Sequence, residues 1–142
     1  MDAIEFPVIC IKDGFIEISQ NEDNLTITTK SALKNNYFIN MLIVDSKNKR
    51  YKIKAVEKLH SVGPFWGYNI FLNQKIKIEI LFEDYIQNIS LEELKNLIFK
   101  AFRKWDGWES GGNLKEIMKE VQEANSFTEV YSVFERLFNT EY

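Results

Sequence analysis

The spacing of apolar residues changes once along this chain, between Phe82 and Ser90, and that change restricts the fold more than any other feature. In Lys75–Phe82, Ile76, Ile78, Ile80 and Phe82 alternate with Lys75, Lys77 and Glu79. That is the period of two of a strand with one wet face. From Ser90 onward the apolar residues recur every three or four positions: Leu91, Leu94, Leu97, Ile98, Ala101, Phe102 and Trp105. They form one stripe of an amphipathic helix. The chain therefore divides into a β-rich part, 1–88, and a helical part, 89–142. The expectation is an α+β fold in which an antiparallel sheet of about five strands is packed by a C-terminal bundle of three helices.

Two hairpins are legible in the β part. Phe6–Lys12 and Phe15–Ile18 flank Asp13-Gly14, a pair suited to the positive φ angles of a type I′ turn. Met41-Leu42-Ile43-Val44 is apolar at every position, which predicts a strand covered on both faces. The polar link 45–49 joins it to the alternating run Tyr51–Val56. Ser19–Asn24 is polar and reads as a loop. Thr28–Asn36 starts like a helix and ends on asparagines, which predicts one short helix.

In the helical part, Ser90 and Glu93 make a capping box: the Ser oxygen accepts the N3 amide and the Glu reaches back. Asn113 with Glu116, and Ser126 with Glu129, mark two further starts. Glu92 and Glu93 lie at the positive end of the first helix and Lys100, Arg103 and Lys104 at its negative end. The link 123–125 is short enough to make the last two helices antiparallel neighbours. No Pro/Gly/Ser-rich linker interrupts the chain, so residues 1–142 are read as one domain.

Charge and cysteine usage narrow the function classes. The 142 residues carry 18 Lys+Arg against 21 Asp+Glu, a net charge of −3. That balance argues against a general nucleic-acid binder and gives no attraction to an anionic membrane. Cys10, alone in Val8-Ile9-Cys10-Ile11, reads as a small buried hydrophobe. One Cys and one His cannot make a structural zinc site, and neither a metal nor another cofactor is expected. The first five residues lack the basic start of a secretory signal, so the expected location is cytoplasmic. Lys47, Lys49, Arg50, Lys52, Lys54 and Lys58 cluster on the second hairpin. They read as a solvated face, or as charge guarding an edge strand.

Two loops are not explained by caps, turns and stripes. In residues 60–69, Phe65, Trp66 and Tyr68 sit among Gly63, Pro64 and Gly67. They either plug one end of the core or form a rigid contact loop. In residues 105–112, Trp108 lies beyond the helix stop and is flanked by Asp106 and Glu109. It is either an ordinary capping loop or an aromatic anchor for a basic partner. His60 needs a nearby carboxylate for acid–base work, with Asp45 and Glu57 as candidates; the other reading is a surface histidine. Ser61 lies in no Gly-x-Ser-x-Gly elbow, and Glu79, Glu83 and Asp84 read as a solvated strand end. No catalytic residue is expected.

Residues 58–73, Lys58-Leu59-His60-Ser61-Val62-Gly63-Pro64-Phe65-Trp66-Gly67-Tyr68-Asn69-Ile70-Phe71-Leu72-Asn73, resemble a segment of a family of small uncharacterised bacterial proteins. Some of these are similar to the immunity proteins that neutralise polymorphic or contact-dependent toxins. The resemblance sets the first expectation, a non-enzymatic protein-binding domain that inhibits a toxin by covering its surface, and it transfers no functional residue. From their own chemistry, as aromatic anchors with acidic neighbours, Trp66, Tyr68, Asp106, Trp108 and Glu109 are the partner-binding candidates, and they suit another protein such as a basic toxin domain. Two alternatives stand beside it: a small-molecule-binding domain or enzyme with a pocket near His60, and a structural subunit of a larger assembly.

Overall fold

A computed structural model of the chain describes residues 4–12, 14–34, 37–62, 75–83, 86–104 and 114–139. In chain order the elements are β1 (Val8–Lys12), β2 (Phe15–Ser19), α1 (Glu22–Thr26), β3 (Ile27–Thr29), α2 (Lys30–Lys34), β4 (Leu42–Val44), β5 (Lys49–Ser61), β6 (Lys75–Phe82), β7 (Gln87–Asn88), α3 (Leu91–Arg103), α4 (Leu114–Glu123) and α5 (Phe127–Asn139). The class is α+β, with every strand pairing antiparallel in the order β2-β1-β4-β5-β6-β3 and β7 beside the start of β5.

The first hairpin forms as its sequence dictates. Lys12 pairs with Phe15 across a two-residue loop, and Gly14 takes φ 73°, where a Cβ would be strained. The second hairpin pairs Ile43 with Tyr51. In the helical part Ser90 Oγ accepts from Glu93 N at 3.1 Å and Ser126 Oγ from Glu129 N at 3.2 Å.

The count of elements differs from the expectation. The described residues hold seven strands rather than about five, and the β part holds two short helices, α1 and α2, where one was expected, ahead of α3, α4 and α5 in the helical part. The extra helix has a local cause, and the extra strand β3 has a distant partner. Asn21, expected in a loop, caps α1: its Oδ1 accepts from Asn24 N at 2.9 Å, and Glu22 and Asp23 occupy the first turn. That satisfies an orphan amide and suits the helix dipole. The single helix expected over Thr28–Asn36 is split. Ile27-Thr28-Thr29 is β-branched and pairs with β6 as β3, where stiff χ1 angles favour a strand. Thr29 Oγ1 then accepts from Ala32 N at 3.1 Å and starts α2.

The central strands are buried on both faces, as the unbroken apolar run in β4 implies. Ile9 and Ile11 of β1 and Val44 of β4 join α3, α4 and α5 in one cluster around Leu94, Ile98 and Phe134. Val8, Cys10 and Ile43 point the other way, into a second cluster with Ile76, Ile78 and Ile80 of β6. Burial of each such side chain contributes about 1.5–3 kcal/mol. The sheet reaches its own far side by curling. The thirteen-residue β5 changes register between Ile53 and Ala55 and between Lys58 and His60, and such bulges bend a strand and add twist.

One buried charge was not legible. Lys95 shares the apolar face of α3 at 5% exposure, and its Nζ donates to Gln122 O at 2.8 Å. It caps the negative end of α4.

Candidate functional site

The loops carrying Phe65, Trp66 and Tyr68, and Asp106, Trp108 and Glu109, lie outside the described residues. His60 is described. It is exposed near the end of β5, its Nδ1 lies 3.0 Å from Ser61 O, and its cross-strand neighbour is Lys77. Neither carboxylate considered as its partner is placed to serve. Asp45 is fully buried before the other end of β5, where its Oδ2 accepts from Tyr51 Oη at 3.2 Å and its Oδ1 from the Lys47 and Lys49 amides at 3.0 Å. Glu57 is exposed and faces Glu79 across the strands.

The feature that does stand out is the edge of β5. Over Lys49–Lys52 the strand has neighbours on both sides. Asp45 N donates to Lys49 O at 3.0 Å on the β4 side, and Glu83 N donates to Lys52 O at 2.9 Å on the β6 side. Beyond Lys52, β4 is gone. Asn40 adopts φ 63° and Met41 N donates to Phe38 O at 3.3 Å, so the chain entering β4 turns away from β5. Asparagine tolerates that left-handed conformation better than most residues. Among the described residues, β5 from Ile53 to His60 pairs only with β6, and no described strand lies along its other edge.

The divergence leaves a groove of about 430 Å³ between the Tyr37–Asn40 turn and β5. Leu33, Phe38, Ile53 and Val56 supply buried or half-buried apolar lining, while Lys52, Lys54 and Glu83 line it with exposed charge. Ile39, also on the groove, and Leu59, further along β5, are each 52% exposed. Large apolar side chains left this open beside an unpaired strand edge are what an extended peptide uses for recognition. Sequence reasoning had found the lysines of this strand but not the groove, because the groove is set by where β4 stops.

The remaining perturbed groups are structural. Burial pushes the Cys10 thiol well up, which keeps it protonated and unreactive. Tyr37 Oη donates to Glu17, and burial together with that bond raises its pKa strongly. Lys77 bridges to Asp23 at 3.0 Å and ties β6 to α1. Among the described residues no group of three or more His, Cys, Asp or Glu side chains is arranged to hold a metal ion, and no helix is long and apolar enough to cross a membrane.

Tyr51 gives a pH signature. Burial, then the charge and hydrogen bond of Asp45, push its pKa up to about 12, against about 10 in an unfolded chain. The folded state therefore holds the proton where the unfolded state releases it. Stability from this group is complete below about pH 10 and falls as pH rises from 10 through 12. Chemical denaturation across that window should show a steep alkaline loss in the parent and a shallower one in Tyr51→Phe. Equal slopes would remove Tyr51 as the cause.

Comparison with protein-family models, with curated proteins and with solved structures finds no match for this chain. The functional argument therefore rests on the geometry of the β5 edge and its groove.

Proposed function

We propose that this chain is a protein-binding domain that engages its partner through the open edge of β5 and the groove beside it. The observation that carries the reading is the loss of a neighbour strand beyond Lys52, next to a groove with exposed Ile39. Inhibition of a toxin by surface coverage is the form of that reading favoured by the resemblance of residues 58–73 to small uncharacterised bacterial proteins, some of which are similar to immunity proteins. The lysine-rich edge suits an acidic partner surface. That is the opposite sign from the basic partner to which Asp106, Trp108 and Glu109 are suited, so the two candidate surfaces make different predictions.

The test uses a partner captured from native-cell lysate and then purified. Ile39→Asp and Lys54→Glu should each weaken its binding by roughly tenfold or more, with folding unchanged because both side chains are exposed. Trp66→Ala and Trp108→Ala ask the same of the other surface. If the second pair weakens binding and the first does not, the β5 reading is wrong. The inhibitory form requires in addition that the captured partner be toxic and that stoichiometric addition of this chain abolish the toxicity.

A second reading has one observation in its favour. The groove volume falls within the usual range for small-molecule sites, about 300–1,000 Å³. It would move the ligand from the neighbourhood of His60, which does not line the groove, to Phe38, Ile39 and Lys54. A small ligand that competes with no protein and whose affinity collapses in Ile39→Asp would favour it.

A further inference from the structure

We infer that the β5 edge takes up an extended segment of the partner in which acidic and apolar residues alternate, added as a strand beside residues 53–60. The inference rests on the protein-binding reading and specifies the chemistry of what is bound.

A bare strand edge offers a row of amides and carbonyls that only another extended backbone matches. The eight residues from 53 to 60 accommodate a segment extended over roughly 26 Å. The charge on the strand selects among such segments. The chain carries net −3, yet along the open stretch Lys54 and Lys58 stand against Glu57, and Lys49, Arg50 and Lys52 continue the positive charge into the paired part of β5. Among the described residues the ion pair on this strand joins Lys52 to Glu83 at 3.9 Å, between two half-exposed side chains. It leaves Lys54 and Lys58 exposed and available. Opposite charges facing each other across paired strands stabilise the pair, and like charges destabilise it. In the antiparallel register centred on Val56, a second copy of this chain would set Lys54 against Lys58, so the charge that invites an acidic strand disfavours that self-pairing. Exposed Ile39 and Leu59 give apolar side chains of the incoming segment places to rest. A nucleic acid would use the lysines but leave the backbone edge and these apolar groups unmatched.

The experiment uses the full chain and three capped peptides of about ten residues, alternating Val with Glu, Val with Thr, or Val with Lys. Fluorescence anisotropy gives Kd and amide hydrogen exchange locates binding. The Val/Glu peptide should bind, slow exchange within residues 53–60, and exceed the Val/Thr peptide by roughly tenfold. The Val/Lys peptide should not bind, and Lys54→Glu/Lys58→Glu together should reverse the preference. High salt, about 0.5 M, should erase most of the charge preference.

Equal binding of the Glu and Thr peptides overturns the acidic specificity and leaves strand addition in place. No protection from any peptide, with Ile39→Asp still releasing the captured partner, overturns strand addition and leaves the binding surface. No protection together with an indifferent Ile39→Asp overturns both. A single-stranded oligonucleotide that binds in preference to the Val/Glu peptide, or a dimer whose formation protects residues 53–60, overturns the inference in favour of that occupant.

Discussion

Phe134→Ala is expected to destabilise the protein by about 4 kcal/mol. Phe134 has no exposed surface, and its ring lies 6.1 Å from that of Phe102 on α3 at an interplanar angle of 41°. It sits in the cluster where α5, α3 and the outer face of β1 and β4 meet. Truncation removes the transfer free energy of a whole ring and leaves a cavity between two helices that are each anchored elsewhere, so collapse recovers little. A small domain has only about 5–15 kcal/mol in total, so the loss should lower Tm by more than about 10 °C. Urea denaturation is the check: the midpoint should fall with the slope unchanged. A loss below about 1.5 kcal/mol would mean that α5 is not seated as described. Leu137→Ala, on the same helix but only partly buried, should cost distinctly less.

The start of α5 at Ser126 was legible in the sequence, and the reason shows what local patterning can reach. Helix caps, helix stripes and two-residue turns are decided by residues within a few positions of one another, and Ser90, Ser126 and Gly14 all behave accordingly. The double burial of β4 was equally local, since four consecutive apolar residues need two covers. What failed was anything decided by a distant partner. Ile27-Thr28-Thr29 becomes a strand because β6 offers an edge to pair with, and no property of the triplet names β6. Lys95 is buried because Gln122 O, on another helix, receives its ammonium. The candidate site belongs to the same class. Lys52, Lys54 and Lys58 were visible as a cluster fit to guard an edge. That the edge is open depends on where β4 turns away, which Asn40 governs from outside the strand. The aromatic loops at Trp66 and Trp108 were singled out for composition, and they fall outside the described residues.

Asp45→Ala is the second large effect expected, about 3 kcal/mol, at a residue that the sequence presents as part of a polar link. Asp45 is completely buried, and its carboxylate is an acceptor for four donors: Lys47 N and Lys49 N at 3.0 Å, Tyr51 Oη at 3.2 Å and Glu5 N at 3.3 Å. Removing the acceptor leaves each donor to find another. A donor that stays dry costs about 1–3 kcal/mol, but the half-buried Lys49 and exposed Lys47 backbone regions admit water, which keeps the total below the sum of four. Asp45→Asn separates charge from shape. Its carbonyl oxygen can still accept from Lys47 and Lys49, while its amide group meets Tyr51 Oη and Glu5 N, of which the amide of Glu5 is donor only. About half the loss of the alanine variant is expected, and a loss equal to or smaller than 1 kcal/mol for alanine itself would show that the link is held by other contacts. Hydrogen exchange should report where the damage goes. Glu5 N loses its acceptor directly, and Ile4, buried in the second cluster, loses its tether. The Asp45–Lys49 contacts also fix which residue of β5 first meets β4, so loosening them shifts the point at which the β5 edge opens. The same variant should therefore blur the protection that a bound acidic strand confers on residues 53–60, even at temperatures where the fold persists.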